Sequence, residues 1–377
     1  MAHVDSCAKG LEQFESDLRS GLSNEGRDGD YDLDDAPDWA ALDREEPLRR
    51  ALDVLMARLL PVWREADSAS LAFQGRHRRL AKIAIAAGTC SVVLAIFQIA
   101  VAYQAPSLMW LPLGLEALAV LAGFIAVGIG LKTQGDKKWL CERYRAERLR
   151  MLKFKSLAWE EFATGDHRAW ETRLEARVKA LSPPATAATV KAWLQDDERP
   201  GDAVVPVPEG LGARTWDVLR RYYCWKRLAF QREYFRDRAE RHLGASKPWR
   251  NLSMPVYFTA TGFVLAHFLA GGLLHFQVGG TNAAPVWNSI EIWALALAAT
   301  IPVVGLGARV WLGAFEPHRS ANLFAAKHRT VVAMIERFES LGADAHKVRE
   351  EITRSEAFFE NEHREWLRLM LETEWML

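Results

Sequence analysis

The sequence has 377 residues, of which 50% are hydrophobic, and 48 Lys and Arg balance 48 Asp and Glu, so that the formal net charge is zero. A balanced charge argues against a nucleic-acid-binding surface that covers the whole molecule. The four cysteines lie far apart and form no CxxC pair, which argues against both a disulfide framework and a zinc site.

A disordered acidic arm is predicted over residues 1–46, because this stretch has too few apolar residues to build a core. Alternating aspartates from Asp28 onward suggest a calcium-binding EF-hand loop. That loop requires Gly at its sixth position and Glu at its twelfth, where this chain has Leu33 and Trp39. The disordered arm is therefore the better interpretation.

The first membrane unit is predicted over residues 47–181. Leucines at three- and four-residue spacing after Pro47 predict an amphipathic helix, which Pro61 either bends or restarts. Two apolar spans follow, Ile83–Tyr103 and Met109–Leu131, and each is longer than the ~20 residues that cross a bilayer as a helix. Together they predict a transmembrane hairpin with a short bend between the spans.

Basic residues flank this hairpin on both sides, whereas the bend between its spans carries no charge. Since short loops rich in Lys and Arg stay in the cytoplasm, both ends of the hairpin are predicted to be cytoplasmic. The membrane-flanking cations are Arg76, Arg78, Arg79, Lys82 and Lys132. After the hairpin, helices are predicted at about 136–163 and at 170–181, and a Pro-containing linker is predicted over residues 182–213.

The second membrane unit is predicted over residues 214–377 and repeats the same order of elements. A long helix, Trp216–Leu243, leads to the spans Met254–Phe276 and Ile290–Leu312. Two amphipathic helices follow, at Ser320–Leu341 and Asp344–Met376. The sequence thus predicts an all-α integral membrane protein, with four transmembrane helices in two hairpins and long cytoplasmic amphipathic helices.

Two local matches indicate an internal duplication. Leu71-Ala72-Phe73-Gln74 recurs as Leu228-Ala229-Phe230-Gln231, in both cases before a hairpin. The segment Val127–Lys132 parallels Val304–Arg309, in both cases at the cytoplasmic end of a second span. Because both hairpins are predicted to enter from the cytoplasm, we expect a parallel repeat about an axis along the membrane normal.

Helices on either side of the hairpins carry recognisable patterns. Trp139–Phe154 contains Tyr-Arg-Ala-Glu-Arg-Leu-Arg after the first hairpin, Tyr222–Ala239 contains Arg-Leu-Ala-Phe-Gln before the second, and Glu356–Trp366 pairs Glu with Trp. In these segments the chain resembles the SLATT superfamily of bacterial membrane proteins, over about residues 60–377. The resemblance implies a pore-forming or membrane-perturbing effector of a bacterial conflict or anti-phage defence system. It also implies coupling to a sensor or nucleotide-signal enzyme encoded nearby.

Ionisable residues inside the spans are the candidate pore or gating positions, because a charged group at membrane depth is costly and marks function by default. These candidates are Glu116, Glu291 and His267. An alternative stays open for each: the carboxylates lie near the outer interface, and the histidine packs between helices. Small residues at four-residue spacing in the second span predict close helix packing. They are Ala122, Ala126 and Gly130.

The sequence predicts no enzyme, no cofactor and no metal site, since it lacks GxxxxGK[ST], GxSxG and HExxH. Glu360, Glu362 and His363 are interpreted as the solvated face of an amphipathic helix. We expect a multi-pass protein of the bacterial inner (plasma) membrane with both termini cytoplasmic. Its expected partners are the lipid bilayer, further copies of the chain and a cytoplasmic sensor or nucleotide-signal enzyme, but no nucleic acid. A non-conducting membrane scaffold that recruits a soluble partner is the alternative function.

Overall fold

A computed structural model describes residues 45–195, 210–250, 252–315 and 317–372. Nearly all of the predicted acidic arm therefore lies outside the described residues. Within the described ranges all regular structure is helical, which confirms the predicted all-α class.

The described part of the chain forms helices α1 to α13. They are α1 (Glu46–Arg58), α2 (Leu60–Gln104), α3 (Trp110–Thr133), α4 (Gly135–Ser156), α5 (Glu160–Thr164), α6 (His167–Leu181), α7 (Ala187–Gln195), α8 (Ala213–Tyr223), α9 (Phe230–Arg250), α10 (Ser253–His275), α11 (Ala284–Phe315), α12 (Pro317–Ser340) and α13 (Ala345–Glu372). A 3₁₀ turn, Pro106–Leu108, joins α2 to α3, and a π-helical turn, Cys224–Ala229, joins α8 to α9.

Among the described residues, four helices are long and apolar enough to cross a membrane, as the sequence predicts: α2, α3 with its preceding turn, α10 and α11. Helix α2 has 45 residues. At 1.5 Å per residue it is about 68 Å long, roughly twice the ~30 Å thickness of the hydrocarbon core. Its polar N-terminal part therefore extends beyond a bilayer.

Pro61 marks a break between two helices. Helix α1 ends at Arg58, and α2 begins at Leu60, so that Pro61 is the second residue of α2. A proline in the first turn removes an N–H that has no partner within the helix in any case. The two predicted outcomes at Pro61 are thus resolved in favour of a restart.

The described residues divide by their packing into two compact units. The core unit contains residues 45–74, 136–195, 210–239 and 322–372. The span unit contains residues 75–135, 240–250, 252–315 and 317–321. Both predicted halves of the chain contribute to both units. The predicted domain boundaries at 182 and 214 separate the two copies of the proposed duplication, which stays a prediction. The division by packing instead places amphipathic helices from both copies in one unit.

The core unit is built around large aromatic side chains. On α1, Leu48, Leu52 and Leu55 are buried at the three- and four-residue spacing that predicts this face. The ring of Phe154 contacts that of Tyr223 with a centroid distance of 5.4 Å. Other fully buried aromatic residues of this unit are Tyr144, Phe162, Trp170, Trp216, Tyr222 and Phe338. Burial of such residues is the main source of stability for this unit.

In the span unit, α2 contacts α11 at two levels. The rings of Phe97 and Trp293 have centroids 5.8 Å apart. Nearer the start of α2, Thr89 lies so close to Gly307 that a side chain at position 307 would collide with it. The residue numbers fall along one helix as they rise along the other, so α2 and α11 run antiparallel. Glycine at position 307 is required for this close approach.

Candidate functional site

The first candidate, Glu116, is paired across two helices of the span unit. It is the seventh residue of α3 and is partly buried. The Nε2 atom of Gln98, on α2, donates a hydrogen bond to its carboxylate. An amide donor offsets part of the free energy lost when a carboxylate is removed from water. The structure thus joins Glu116 to Gln98, a partner that sequence reasoning missed.

The other two candidates, Glu291 and His267, lie side by side. The Nδ1 atom of His267 is 3.2 Å from the backbone carbonyl oxygen of Glu291. Since a carbonyl oxygen only accepts, this nitrogen carries the ring proton in the contact. The Glu291 carboxylate lies against α10 at Gly271, where a Cβ atom would come within 3.1 Å of Oε1. Glycine at position 271 therefore leaves the space that the carboxylate occupies.

The two carboxylates occur at similar positions in the two halves of the chain. Glu116 follows Trp110, the first residue of α3, and Glu291 follows Ala284, the first residue of α11. Each lies about 10 Å along its helix from that helix's start, at 1.5 Å per residue. Each residue also meets a polar residue of the preceding spanning helix: the Glu116 carboxylate contacts Gln98, and the Glu291 backbone carbonyl contacts His267. The apolar segments thus hold one polar pair in each half.

The predicted small-residue stripe is only partly enclosed. Ala126 is buried, Ala122 is exposed, and a Cβ atom on Gly130 would meet no atom within 4 Å. A closer approach occurs on α11, where a Cβ atom on Gly305 would lie 2.9 Å from Val256 of α10. A role of the stripe in contacts between copies of the chain stays a prediction.

The membrane-flanking cations are all exposed. They are Arg76, Arg78, Arg79, Lys82 and Lys132. The Nζ atom of Lys82 also lies 5.6 Å from the ring centroid of Trp311. Exposed cations beside an apolar span are suited to the interface with lipid headgroups, where Trp is also favoured.

Sequence reasoning missed the buried charges of the core unit. Arg145, on α4, is 1% exposed and donates hydrogen bonds to the Leu181 carbonyl (2.7 Å) and to the Glu142 carboxylate (3.0 Å). It also donates to the carbonyl of Ser182. The carbonyls at the end of a helix have no partner within that helix, and a cation there is stabilising. Arg145 therefore fixes the end of α6 to α4.

A second group of buried charges surrounds Glu147, also on α4. Its carboxylate lies 2.6 Å from Arg143 Nη2 and 3.1 Å from Arg150 Nη1. Burial alone would raise the pKa of the Glu147 carboxyl, but Arg150 and Arg143 hold that pKa well below its ordinary value. Glu147 is thus ionised at any physiological pH.

His363, on α13, lies near this group but is held neutral. Its ring stacks on that of Tyr144 with a centroid distance of 5.5 Å and on that of Trp366 at 5.2 Å. Burial lowers the pKa of His363 to about 4, although the Glu147 carboxylate acts in the opposite direction. The stacked imidazole therefore behaves as an aromatic residue at neutral pH.

The third group joins the π-helical turn to α13. Arg227 donates to both carboxylate oxygens of Glu356, from Nε at 2.8 Å and from Nη2 at 3.0 Å. The hydroxyl of Tyr223 donates to the same carboxylate at 2.8 Å. The guanidinium also lies over the rings of Phe359 and Phe154, at 4.5 and 5.3 Å. This is a bidentate, fully enclosed ion pair.

Neither a bound-ion site nor a known relative identifies the function. Among the residues that the structure describes, no group of three or more His, Cys, Asp or Glu side chains is placed to hold a metal ion. The chain matches no protein-family model, no curated protein and no solved structure. The features of the described residues that bear on function are the polar pairs of the span unit and the buried charges of the core unit.

Proposed function

We propose that this chain is a bacterial inner-membrane effector that forms a pore, or otherwise perturbs the membrane, when several copies assemble. The observation that carries the proposal is the pair of carboxylates, Glu116 and Glu291, each within an apolar segment and each against the preceding spanning helix, at Gln98 and at Gly271. A carboxylate at membrane depth lowers stability. Its presence in both halves therefore favours a role in ion passage over simple anchoring.

The proposed topology has two membrane hairpins, with all connections to the amphipathic helices in the cytoplasm. Exposed basic residues flank the first hairpin on both sides, and Lys and Arg are favoured on the cytoplasmic side of short loops. The link between α2 and α3 carries no charge, which suits the outer face. An even number of spans then leaves both termini in the cytoplasm.

Assembly of several copies is part of the proposal. Four packed helices fill their own interior with side chains, so a water-filled path requires helices from more than one copy. The exposed apolar residues of α3, among them Leu118 and Phe124, face lipid or a neighbouring copy. Close packing through Ala122 and Gly130, both accessible on this helix, would support such contacts.

The amphipathic helices are proposed to receive the activating signal. The resemblance to the SLATT superfamily supports a role in a bacterial conflict or anti-phage defence system. It also supports a soluble sensor or nucleotide-signal enzyme, encoded nearby, as the source of the signal. The proposal assigns no catalytic activity, cofactor or metal ion to the chain itself.

Leakage of dye from vesicles that contain the purified protein tests the proposal. If Glu116 lines the path, Glu116→Gln is expected to change the leak rate by about fivefold or more, because rings of charged side chains control ion passage. The matched control is Glu240→Gln, which removes an exposed carboxylate from the polar helix α9. Absence of leakage from the wild-type protein in vesicles of bacterial lipid, with or without its activating partner, would contradict the pore function.

A non-conducting membrane scaffold is the second candidate. The larger share of the described residues lies in the core unit, which has its own enclosed aromatic interior. A soluble unit of this size favours the recruitment of a partner. Under this function the same vesicles would not leak, and a soluble protein would co-purify with the membrane fraction only when the core unit is intact.

A further inference from the structure

The helix that leads to the second pair of spans is not α-helical throughout. Residues 213–250 form one continuous helix, but Cys224–Ala229 is a π-helical turn between α8 and α9. A π-turn holds one more residue than the α-helical turn that it replaces, and such turns are rare and often lie at functional positions. This turn is also enclosed, since Lys226, Arg227, Leu228 and Ala229 are all buried.

A buried ion pair joins this turn to α13. Arg227 is 3% exposed and Glu356 is fully buried, and two hydrogen bonds join them. Tyr223, the last residue of α8, donates to the same carboxylate. Burial would lower the pKa of Arg227, but Glu356 raises it above its ordinary value, so the pair stays ionised. The residue that precedes the π-turn and one residue within it are thus attached to the same side chain of α13.

The arrangement leaves a donor unsatisfied. Arg227 Nη1 is buried and has no hydrogen-bond partner among the described residues. A buried donor without an acceptor is destabilising, as is a π-turn within an α-helix. The Glu356 contact therefore supports a turn in which one buried donor has no acceptor.

Relaxation of the π-turn would have a defined consequence. If Cys224–Ala229 took α-helical geometry, the extra residue would become part of the α-helix on one side of the turn. The helix beyond it would turn by about 100° and move by about 1.5 Å, the rotation and rise of one residue. That part of the helix is α9, which runs to Arg250 and precedes the spanning helix α10.

We propose that the ion pair between Arg227 and Glu356 is a latch that holds the π-turn, and that its release lets the turn become α-helical and rotates α9. This latch would regulate the proposed pore, so its effect on the membrane rests on the proposed function. The element that a partner must displace is α13. This helix is also bound to α4, where Lys155 contacts Glu360, and to the segment after α4, where Arg349 Nε donates to the Ala158 carbonyl at 3.0 Å.

Two variants of the full-length protein in lipid vesicles test the latch. Glu356→Gln keeps the shape of the side chain and removes its charge. It is expected to accelerate amide hydrogen exchange of the Cys224–Ala229 segment by about tenfold or more, while exchange in α6 stays unchanged. Glu356→Gln is also expected to release dye without any activating partner. Deletion of Cys224 in that variant removes the extra residue, so α9 keeps its orientation when the turn becomes α-helical, and the deletion is expected to abolish this release. Its matched control, Cys224→Ala in the Glu356→Gln variant, keeps the chain length and is expected to leak as Glu356→Gln does.

The two readouts separate the latch from the pore function. Unchanged exchange in Glu356→Gln, or faster exchange throughout the core unit, would overturn the latch, since the pair would then be absent or merely structural. Local acceleration without leakage from any protein, wild type included, would keep the latch and refute the pore function. If, in the Glu356→Gln variant, deletion of Cys224 leaves as much leakage as Cys224→Ala does, the rotation of α9 is refuted.

Discussion

Replacement of His363 with phenylalanine is expected to reduce the loss of stability that the core unit shows as the pH falls. Phe keeps the aromatic contacts with Tyr144 and Trp366 but cannot bind a proton. In the wild type, burial lowers the pKa of His363 from 6.5 to about 4, so the unfolded chain binds the proton more readily than the folded one. The contribution of the neutral His363 ring to the free energy of unfolding is complete above pH 6.5 and is lost as the pH falls towards 4.

The structure sets the size of this effect. At about 1.36 kcal/mol per pH unit, a fall in pKa from 6.5 to about 4 corresponds to at most about 3 kcal/mol. His363 keeps some contact with solvent, which reduces the difference, so we expect about 2 kcal/mol. The charged groups nearest to it act in opposite directions, since Glu147 favours the imidazolium whereas Arg143, Arg150 and Lys327 oppose it.

Urea unfolding in detergent micelles, followed by tryptophan fluorescence at about pH 7.5 and about pH 4.5, measures the effect. The wild type is expected to lose about 2 kcal/mol more than His363→Phe between these conditions. His346→Phe, at an exposed position of the same helix, is the control and is expected to keep the wild-type pH dependence. An identical pH dependence of wild type and His363→Phe would show that His363 is not enclosed as described.

Two further predictions concern packing in each unit. Arg145→Met is expected to destabilise the core unit by about 3 kcal/mol in urea unfolding, because it leaves the Glu142 carboxylate buried without its cation. The double variant that also carries Glu142→Gln is expected to recover at least half of the lost free energy of unfolding. Gly307→Val is expected to destabilise the span unit by about 2 kcal/mol in thermal unfolding, because its side chain would collide with Thr89. The control is Gly128→Val, because a Cβ atom on Gly128 would meet no atom within 4 Å. Equal melting temperatures of the Gly307→Val and Gly128→Val variants would argue against the contact of α2 with α11.

The spanning helices could be predicted because hydropathy over ~20 residues is a local property. The predicted span Met109–Leu131 corresponds to α3, Trp110–Thr133, and Met254–Phe276 corresponds to α10, Ser253–His275. Helix α11 begins at Ala284, six residues before the predicted start at Ile290. Pro285 lies in the first turn of α11, where proline favours the start of a helix. This proline precedes the apolar residues that define the predicted span, so hydropathy does not detect it.

The buried charges could not be predicted, because their partners are distant in the sequence. Glu360 was predicted to lie on a solvated face, and this prediction is wrong, since Glu360 is 6% exposed. Its carboxylate contacts Lys155, which is 205 residues away. The periodicity of a helix identifies a face that is apolar but not a charge that another helix will neutralise.

The π-turn was missed for a similar reason. The sequence predicts one regular helix over Trp216–Leu243, and nothing in Cys224–Ala229 favours a wider turn locally. The turn is stabilised by Glu356, which is 129 residues from Arg227. Contacts of that separation decide such local irregularities, so they become visible only when the helices have been packed together.

The same long-range pair also sets an order of events during synthesis of the protein. Glu356 follows all four spans in the chain, so the ribosome completes both apolar pairs before α13 can neutralise Arg227. Until then the interior of the core unit is incomplete, and its cations stay hydrated. Synthesis of the four apolar helices therefore precedes closure of the core unit, and a nascent chain that stops before α13 exposes surface that proteases can recognise.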